Sequence, residues 1–300
     1  MKSSVPRRMF HRWGMTLALA LLGLALMAQG ALGLSDGVES ATSIGTIQAQ
    51  AELTSLPPDP TIDITWGVWT SNVSDIQAAF NHARFNENLQ LGSSLPALVF
   101  PSQEAWDALS DEARALWLIN HERTDRGLKP LYGLEANVNS VAQAYAQYLL
   151  DNNAWAHDAD GYTPWQRLEN NPAIGACRDF LGVAENLAAF GAPGAPIMAP
   201  VERAVYLWLY KDSESDWGHR HTLLWGEYQP NFINGYWDNS GPAGREGFMG
   251  IGRASGGPYQ GPFSRPMNYA EIIVLNVFDP CSAWDYGEIT FLPFAVHGGE

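Results

Sequence analysis

Three short stretches hold the side chains that can do chemistry. They are Ala156-His157-Asp158, the run containing Glu185-Asn186-Leu187, and Gly218-His219-Arg220-His221. Imidazole nitrogen and carboxylate oxygen are donors that zinc accepts. The same groups exchange protons near neutral pH. His157, Glu185 and His219 therefore make a candidate cleft that can hold a divalent metal or pass protons. His221 follows His219 by two residues, so on a helix the two rings point in different directions; His221 is read as a surface group or as a residue behind the site. A plainer reading carries equal weight. Glu185 lies in an apolar run, where a buried carboxylate paired with an imidazole would hold the centre of the domain together, and breaking such a pair strands a charge. There is no Gly-x-Ser-x-Gly elbow, phosphate-binding glycine loop or His-Glu-x-x-His motif. Asp158 and Asp160 lack the spacing of a calcium loop.

Elements must position these groups. Ser110, followed by Asp111 and Glu112, starts a helix that runs to a stop at Gly127. Val138, Val141, Ala142, Tyr145 and Leu149 recur at helical spacing, which predicts a helix over 135–152 with one buried face. Pro200 opens a third helix with Val201, Val205, Trp208 and Leu209 as its apolar stripe. Strands come late: 248–252 is short and apolar, and 269–278 is rich in β-branched residues. The Gly- and Pro-dense stretch between them predicts a hairpin with a long loop. Helices first and strands later define an α+β domain with an antiparallel sheet. Upstream, Ile62, Ile64, Trp66 and Val68 alternate as in a strand, and 73–84 reads as a short helix.

The N-terminus reads as an export signal. Lys2, Arg7, Arg8 and Arg12 precede an apolar stretch, 15–28, which is short for a membrane span. The expected organisation is a signal peptide over 1–33, with a retained anchor as the alternative, and a flexible linker over 34–60. An N-terminal extension over 61–101, the main domain over 102–281 and a tail over 282–300 complete it. Of the 300 residues, 32 are acidic and 17 basic, a net charge of −15. Removing the four basic residues of the signal makes the remainder more acidic still. Such a chain repels phosphates and anionic lipid, which excludes nucleic acid as a natural partner. Export permits a disulfide between Cys177 and Cys281, although their spacing alone does not bring them together. Cys177 can also be read as an inert thiol.

The segment Trp117-Leu118-Ile119-Asn120-His121-Glu122-Arg123, followed by Gly127-Leu128-Lys129-Pro130-Leu131, resembles the opening of CAP domains. These are the cysteine-rich secretory, antigen 5 and pathogenesis-related proteins, with many secreted bacterial members. The rest of the family's pattern follows in order: a helix through Ala142 and Ala146, His157, Glu185-Asn186-Leu187, Trp208, His219-Arg220-x-x-Leu223-Leu224, and the two late strands. The resemblance implies a three-layer α-β-α sandwich around a central antiparallel sheet. It also implies a cleft with two histidines and two acidic residues that bind a divalent metal, often zinc, in several members. His157 and His219 match the two histidines, and Glu185 matches one acid. Ala184 stands where the family has a glycine, and Lys211 stands where animal members carry the second acid; Asp212 or Glu214 is the candidate substitute.

By this resemblance the chain is expected to be a secreted, extracellular binding protein. Its cleft would take a lipid, a cell-wall component or a protein partner, and the aromatic stretch 225–246 could form a lid. Two alternatives remain: a metal-dependent hydrolase or protease using His157, Glu185 and His219, with Glu185 as general base, and a structural envelope protein with an inert cleft.

Overall fold

The computed structural model describes residues 56–66, 72–175, 182–225, 232–233, 236–237, 247–279 and 289–290. The expected signal peptide, most of the linker, Cys177, Cys281 and most of 225–246 lie outside the described residues. Eight α-helices and seven strands are described: α1 Val73–Leu91, α2 Gln103–Asp107, α3 Asp111–Thr124, β1 Gly133–Glu135, α4 Ala136–Asp151, α5 Pro164–Asn170, α6 Pro172–Gly175, β2 Gly182–Ala192, α7 Pro200–Tyr210, α8 Gly218–Leu224, β3 Phe232–Ile233, β4 Tyr236–Trp237, β5 Phe248–Gly256, β6 Tyr269–Asp279 and β7 Ile289–Thr290. The main sheet has the order β2-β6-β5-β1-β7, and β3 pairs with β4 apart from it. The hairpin anticipated from the late strands is present, with β5 antiparallel to β6 from Phe248↔Phe278 to Gly256↔Ala270.

Local chemistry explains the helix ends. Ser110 accepts a hydrogen bond from Ala113 N at the start of α3, and Glu135 caps α4 by accepting from Val138 N at 2.8 Å. Thr163 and Gln166 form a reciprocal capping box at α5, with Pro164 in the first helical turn. Gly127 takes a left-handed φ of 77°, which allows the chain to turn sharply after α3.

Alternation along β6 builds the layers. Ile272 and Val274 pack with Ala142, Tyr145 and Leu149 of α4 on one face. Ile273, Leu275 and Val277 pack with Leu116 and Ile119 of α3, Val205 and Leu209 of α7, and Leu223 of α8 on the other. The α-β-α sandwich is thus a direct result of period-2 burial on both sides of one strand. Two glycines let α4 lie close on β5: a Cβ on Gly250 would come within 2.3 Å of Val138 backbone, and one on Gly252 within 2.2 Å of Gln143 N. Beyond the short β1, side chains of α4 replace a neighbouring strand. Asn139 accepts from Ile251 N at 2.9 Å, and Gln143 both accepts from Arg253 N at 3.0 Å and donates to its carbonyl at 2.8 Å.

The structure departs from the sequence expectations in four places. The sheet is not wholly antiparallel, because β1 runs parallel to β5 with Leu134 opposite Met249. A parallel pair needs a long crossover, and the chain between 135 and 248 supplies it. Strands do not only come late: β2, rich in alanine, is held as a strand by eleven pairs with β6, from Gly182↔Asp279 to Ala192↔Tyr269. Residues 56–66 form no strand, although Ile64 is buried and bonds through its N–H to the Tyr210 carbonyl at 2.7 Å. Finally, β7 lies within the stretch read as a tail and pairs with β1.

The helix at 73–91 is longer than its apolar pattern suggests and belongs to the main core. Ile76, Phe80 and Ala83 join the same apolar cluster as Leu116, Tyr206 and Tyr210. Phe80 meets Tyr206 edge-on at 5.4 Å, and Trp66 meets Tyr206 at 4.9 Å. A buried ionic network reinforces the contact. Arg84 bonds Glu122 and Asp125, Arg126 bonds Glu87 and Glu122, and Arg220 bonds Glu87 at 2.8 Å and approaches Asp59 at 3.3 Å. The Tyr210 hydroxyl donates to Glu122 at 2.7 Å. The arm before α3, together with α3, α7 and α8, thus shares one desolvated network.

Candidate functional site

The site is built on β2, which ends the sheet with β6 as its partner. Its side chains alternate. Glu185 and Leu187 share the α4 face, where Leu187 joins Tyr145 and Val274. Asn186 and Ala188 share the other face, where Ala188 joins Trp208 and Leu223. Adjacent residues therefore serve opposite sides of the sheet. Trp208 helps fix β2 by donating its indole N–H to the Leu187 carbonyl at 3.0 Å.

On the α4 face, the His157 Nδ1 lies 2.9 Å from Glu185 Oε1. The His157 ring is half exposed, while the Glu185 side chain is buried. Arg167 of α5 organises this unit. Its Nη2 donates to both Glu185 oxygens at 2.9 and 2.7 Å and to the His157 carbonyl at 2.9 Å. Its Nη1 donates to Asp160 at 2.9 Å and to the Tyr162 carbonyl at 2.8 Å. The guanidinium lies 3.4 Å over the Tyr145 ring. Burial raises the Tyr145 phenol above its ordinary pKa, and its hydroxyl donates to the Ala156 carbonyl. The loop that carries His157 is thereby tied to α4.

On the other face, Asp212 holds His219. Asp212 Oδ1 lies 2.6 Å from His219 Nδ1, and Oδ2 accepts from the backbone N–H groups of His219 at 2.9 Å and Arg220 at 3.2 Å. One carboxylate thus orients the ring and satisfies the exposed donors at the start of α8. Asp216 and Trp217, just before that helix, have φ of 52° and 59°, a left-handed conformation unusual for side chains with a Cβ. Glu214 is exposed in the short turn Ser213–Ser215 and Lys211 is exposed, so Asp212 is the acid beside His219. Asn186 completes the connection by donating to the His219 carbonyl at 2.9 Å.

A carboxylate can only accept hydrogen bonds. Each facing Nδ1 therefore carries the proton in the neutral ring, and each Nε2 keeps its lone pair. Two basic imidazole nitrogens result, each with a carboxylate behind it, an arrangement that suits ligation or proton acceptance. Glu185 is a poor candidate for general base, because Arg167 engages both of its oxygens. Among the described residues, no hydroxyl bonds either ring.

Of the other expectations, His221 points away from His219 and bonds Asp59 at 2.8 Å. Asp160 pairs with Arg167. Sequence reasoning missed Arg167, whose signal was a lone arginine in the capped turn after His157. It also missed Asn276, which lies directly across from Glu185 on β6. Asn276 is buried, and neither amide atom has a partner among the described residues.

Residues 116–229 match the family model of the cysteine-rich secretory protein family, CAP. The matched stretch runs from within α3 to just beyond α8, so it holds both histidine segments and mixed α and β elements of the layers described above. Among solved structures it is similar to the CAP domain of Enterococcal PrgA, at 14% identity and a TM-score of 0.35, with 79% of this chain and 94% of that chain covered. No curated protein matches. Among the described residues, no helix is long and apolar enough to cross a membrane.

Proposed function

We propose that this is an exported binding protein whose ligand is received at the two carboxylate-held imidazoles, His157 and His219. The observation that carries this reading is their common wiring. Glu185 and Asn186, neighbours on β2, contact the two histidine segments from opposite faces of the sheet. The buried carboxamide of Asn276 across from Glu185, without a partner among the described residues, adds polar capacity beside the first pair. The basic n-region and apolar stretch at the N-terminus support export.

The donor chemistry is compatible with a divalent ion such as zinc. His157 and His219 would each offer an ion one Nε2, while Glu185 and Asp212 orient the rings from opposite faces of the edge strand β2. Among the described residues, no group of three His, Cys, Asp or Glu side chains is arranged to hold a metal. A ligand oxygen or water would therefore complete such a centre, and the ion would supply an electrophilic anchor for that oxygen. The engaged oxygens of Glu185 and, among the described residues, the lack of a hydroxyl on either ring favour binding over hydrolysis.

Zinc titration by calorimetry tests the centre. Saturable binding by the intact protein that weakens by about tenfold or more in both His157→Ala and His219→Ala is the expected result. Equal binding by both variants and the parent, with all three folded, would refute the assignment.

A further inference from the structure

A groove of about 800 Å³ lies along the outer side of α4, where α5 and the loop before it meet that helix. Neither His157 nor His219 lines it. Its walls include Tyr145, Tyr148 and Tyr162, with Ser140, Asn170 and Asn171 as polar groups. We propose that this groove binds a neutral glycan, at a site separate from the two imidazoles.

The rings come first. Tyr145 and Tyr148 are nearly parallel, 10° between planes, with centroids 6.2 Å apart. Their hydroxyls donate to the carbonyls of Ala156 and Ala159. Both rings are therefore fixed before a ligand arrives, which lowers the ordering cost of binding. Tyr162, at the other wall, is 49% exposed. The C–H face of a pyranose packs well on the negative face of such a ring. Serine and asparagine side chains supply donors and acceptors suited to hydroxyl groups.

Charge selects the class. The two ionic groups that line the groove, Asp160 and Arg167, neutralise each other at 2.9 Å. Arg167 is engaged further by Glu185, so among the described residues lining the groove no free cation remains for an anionic ligand. The protein's net charge of −15 also opposes polyanions. A purely apolar chain would leave the polar wall unmatched. A neutral, hydroxyl-rich ligand satisfies both walls, and the volume falls within the ordinary range for ligand sites.

The test is a titration of the intact protein with chitotetraose, cellotetraose and maltotetraose, read by tyrosine and tryptophan fluorescence and by calorimetry. At least one oligosaccharide is expected to bind saturably. Tyr162→Ala should weaken that binding by about tenfold, the loss expected for one ring stack. Tyr162 is exposed, so its removal does not threaten the fold. Zinc titration of the same variant should match the parent, which separates this site from the imidazole pair. Failure of all three sugars to bind, or full affinity in Tyr162→Ala, would overturn the proposal. So would saturable binding of a proline-rich peptide in their place.

Discussion

Replacing Glu122 by glutamine tests the ionic network in two ways at once. Glu122 is wholly buried beneath Arg84, Arg126 and the Tyr210 hydroxyl. Burial alone would favour its neutral form. The guanidiniums of Arg84 and Arg126 override burial and hold the carboxyl at about 2, against an ordinary 4.5. That difference corresponds to roughly 3 kcal/mol of stability. Because the folded-state value is depressed, this stability is present above the unfolded carboxyl's pKa and is lost as pH falls towards about 2; near pH 3, about 2 of those 3 kcal/mol have gone. In Glu122→Gln, Arg84 keeps Asp125 and Arg126 keeps Glu87, yet both lose a charged partner in a dry site. A loss of about 3–5 kcal/mol near pH 7 is expected. Urea unfolding of parent and variant near pH 7 and near pH 3 measures the gap, and other acid-sensitive groups cancel in the comparison. The gap should narrow by about 2 kcal/mol on acidification. A gap below about 1 kcal/mol near pH 7, or one that does not narrow, would refute the reasoning.

Other perturbations probe separate joints. Gly250→Ala places a methyl group 2.3 Å from the Val138 backbone, and should destabilise the fold by about 2 kcal/mol or more by pushing α4 off the sheet; thermal unfolding reads it, and an unchanged midpoint would contradict the packing. Arg167→Met strands the buried Glu185 carboxylate with His157 alone and should cost about 3–5 kcal/mol in urea unfolding, with Arg167→Lys intermediate because an ammonium cannot make the same fork. A chain beginning at residue 102 lacks Arg84, Glu87, Ile76 and Phe80, and should show no cooperative transition by circular dichroism, whereas a chain beginning at residue 56 should unfold cooperatively. Ser110→Ala removes the α3 cap and should cost about 1 kcal/mol.

Much of the fold was legible where local chemistry and burial pattern agree. The α3 start at Ser110, the periodic face of α4, the Pro200 opening of α7 and the β-branched β6 all carry local signals that tertiary packing reinforces. β2 carried no such signal, since alanine and glycine do not favour strands; its conformation comes from pairing with β6. The 62–68 alternation misled because Ile64 is buried by packing beside α7 and not by a sheet. For the site, residue types pointed to His157, Glu185 and His219, and Asp212 was one of two nearby acids. Choosing Asp212 over Glu214 required the short turn that exposes one and directs the other towards α8. Arg167 was illegible because a lone arginine can serve almost any surface. Only its burial against Tyr145 and Glu185 gives it a role.

The alternation of β2 makes strand register a condition of function as well as of packing. Glu185 reaches one histidine segment and Asn186 the other because they occupy consecutive positions on a two-faced ribbon. Deleting or inserting a single residue ahead of them, within the strand, would exchange their sides and disconnect both segments, even if every pairing with β6 reformed. Length variation in this chain should therefore be barred from β2 and tolerated in the exposed turn that follows it. The eleven rungs shared with β6 act as a ruler that keeps two distant histidine segments addressed to the correct faces.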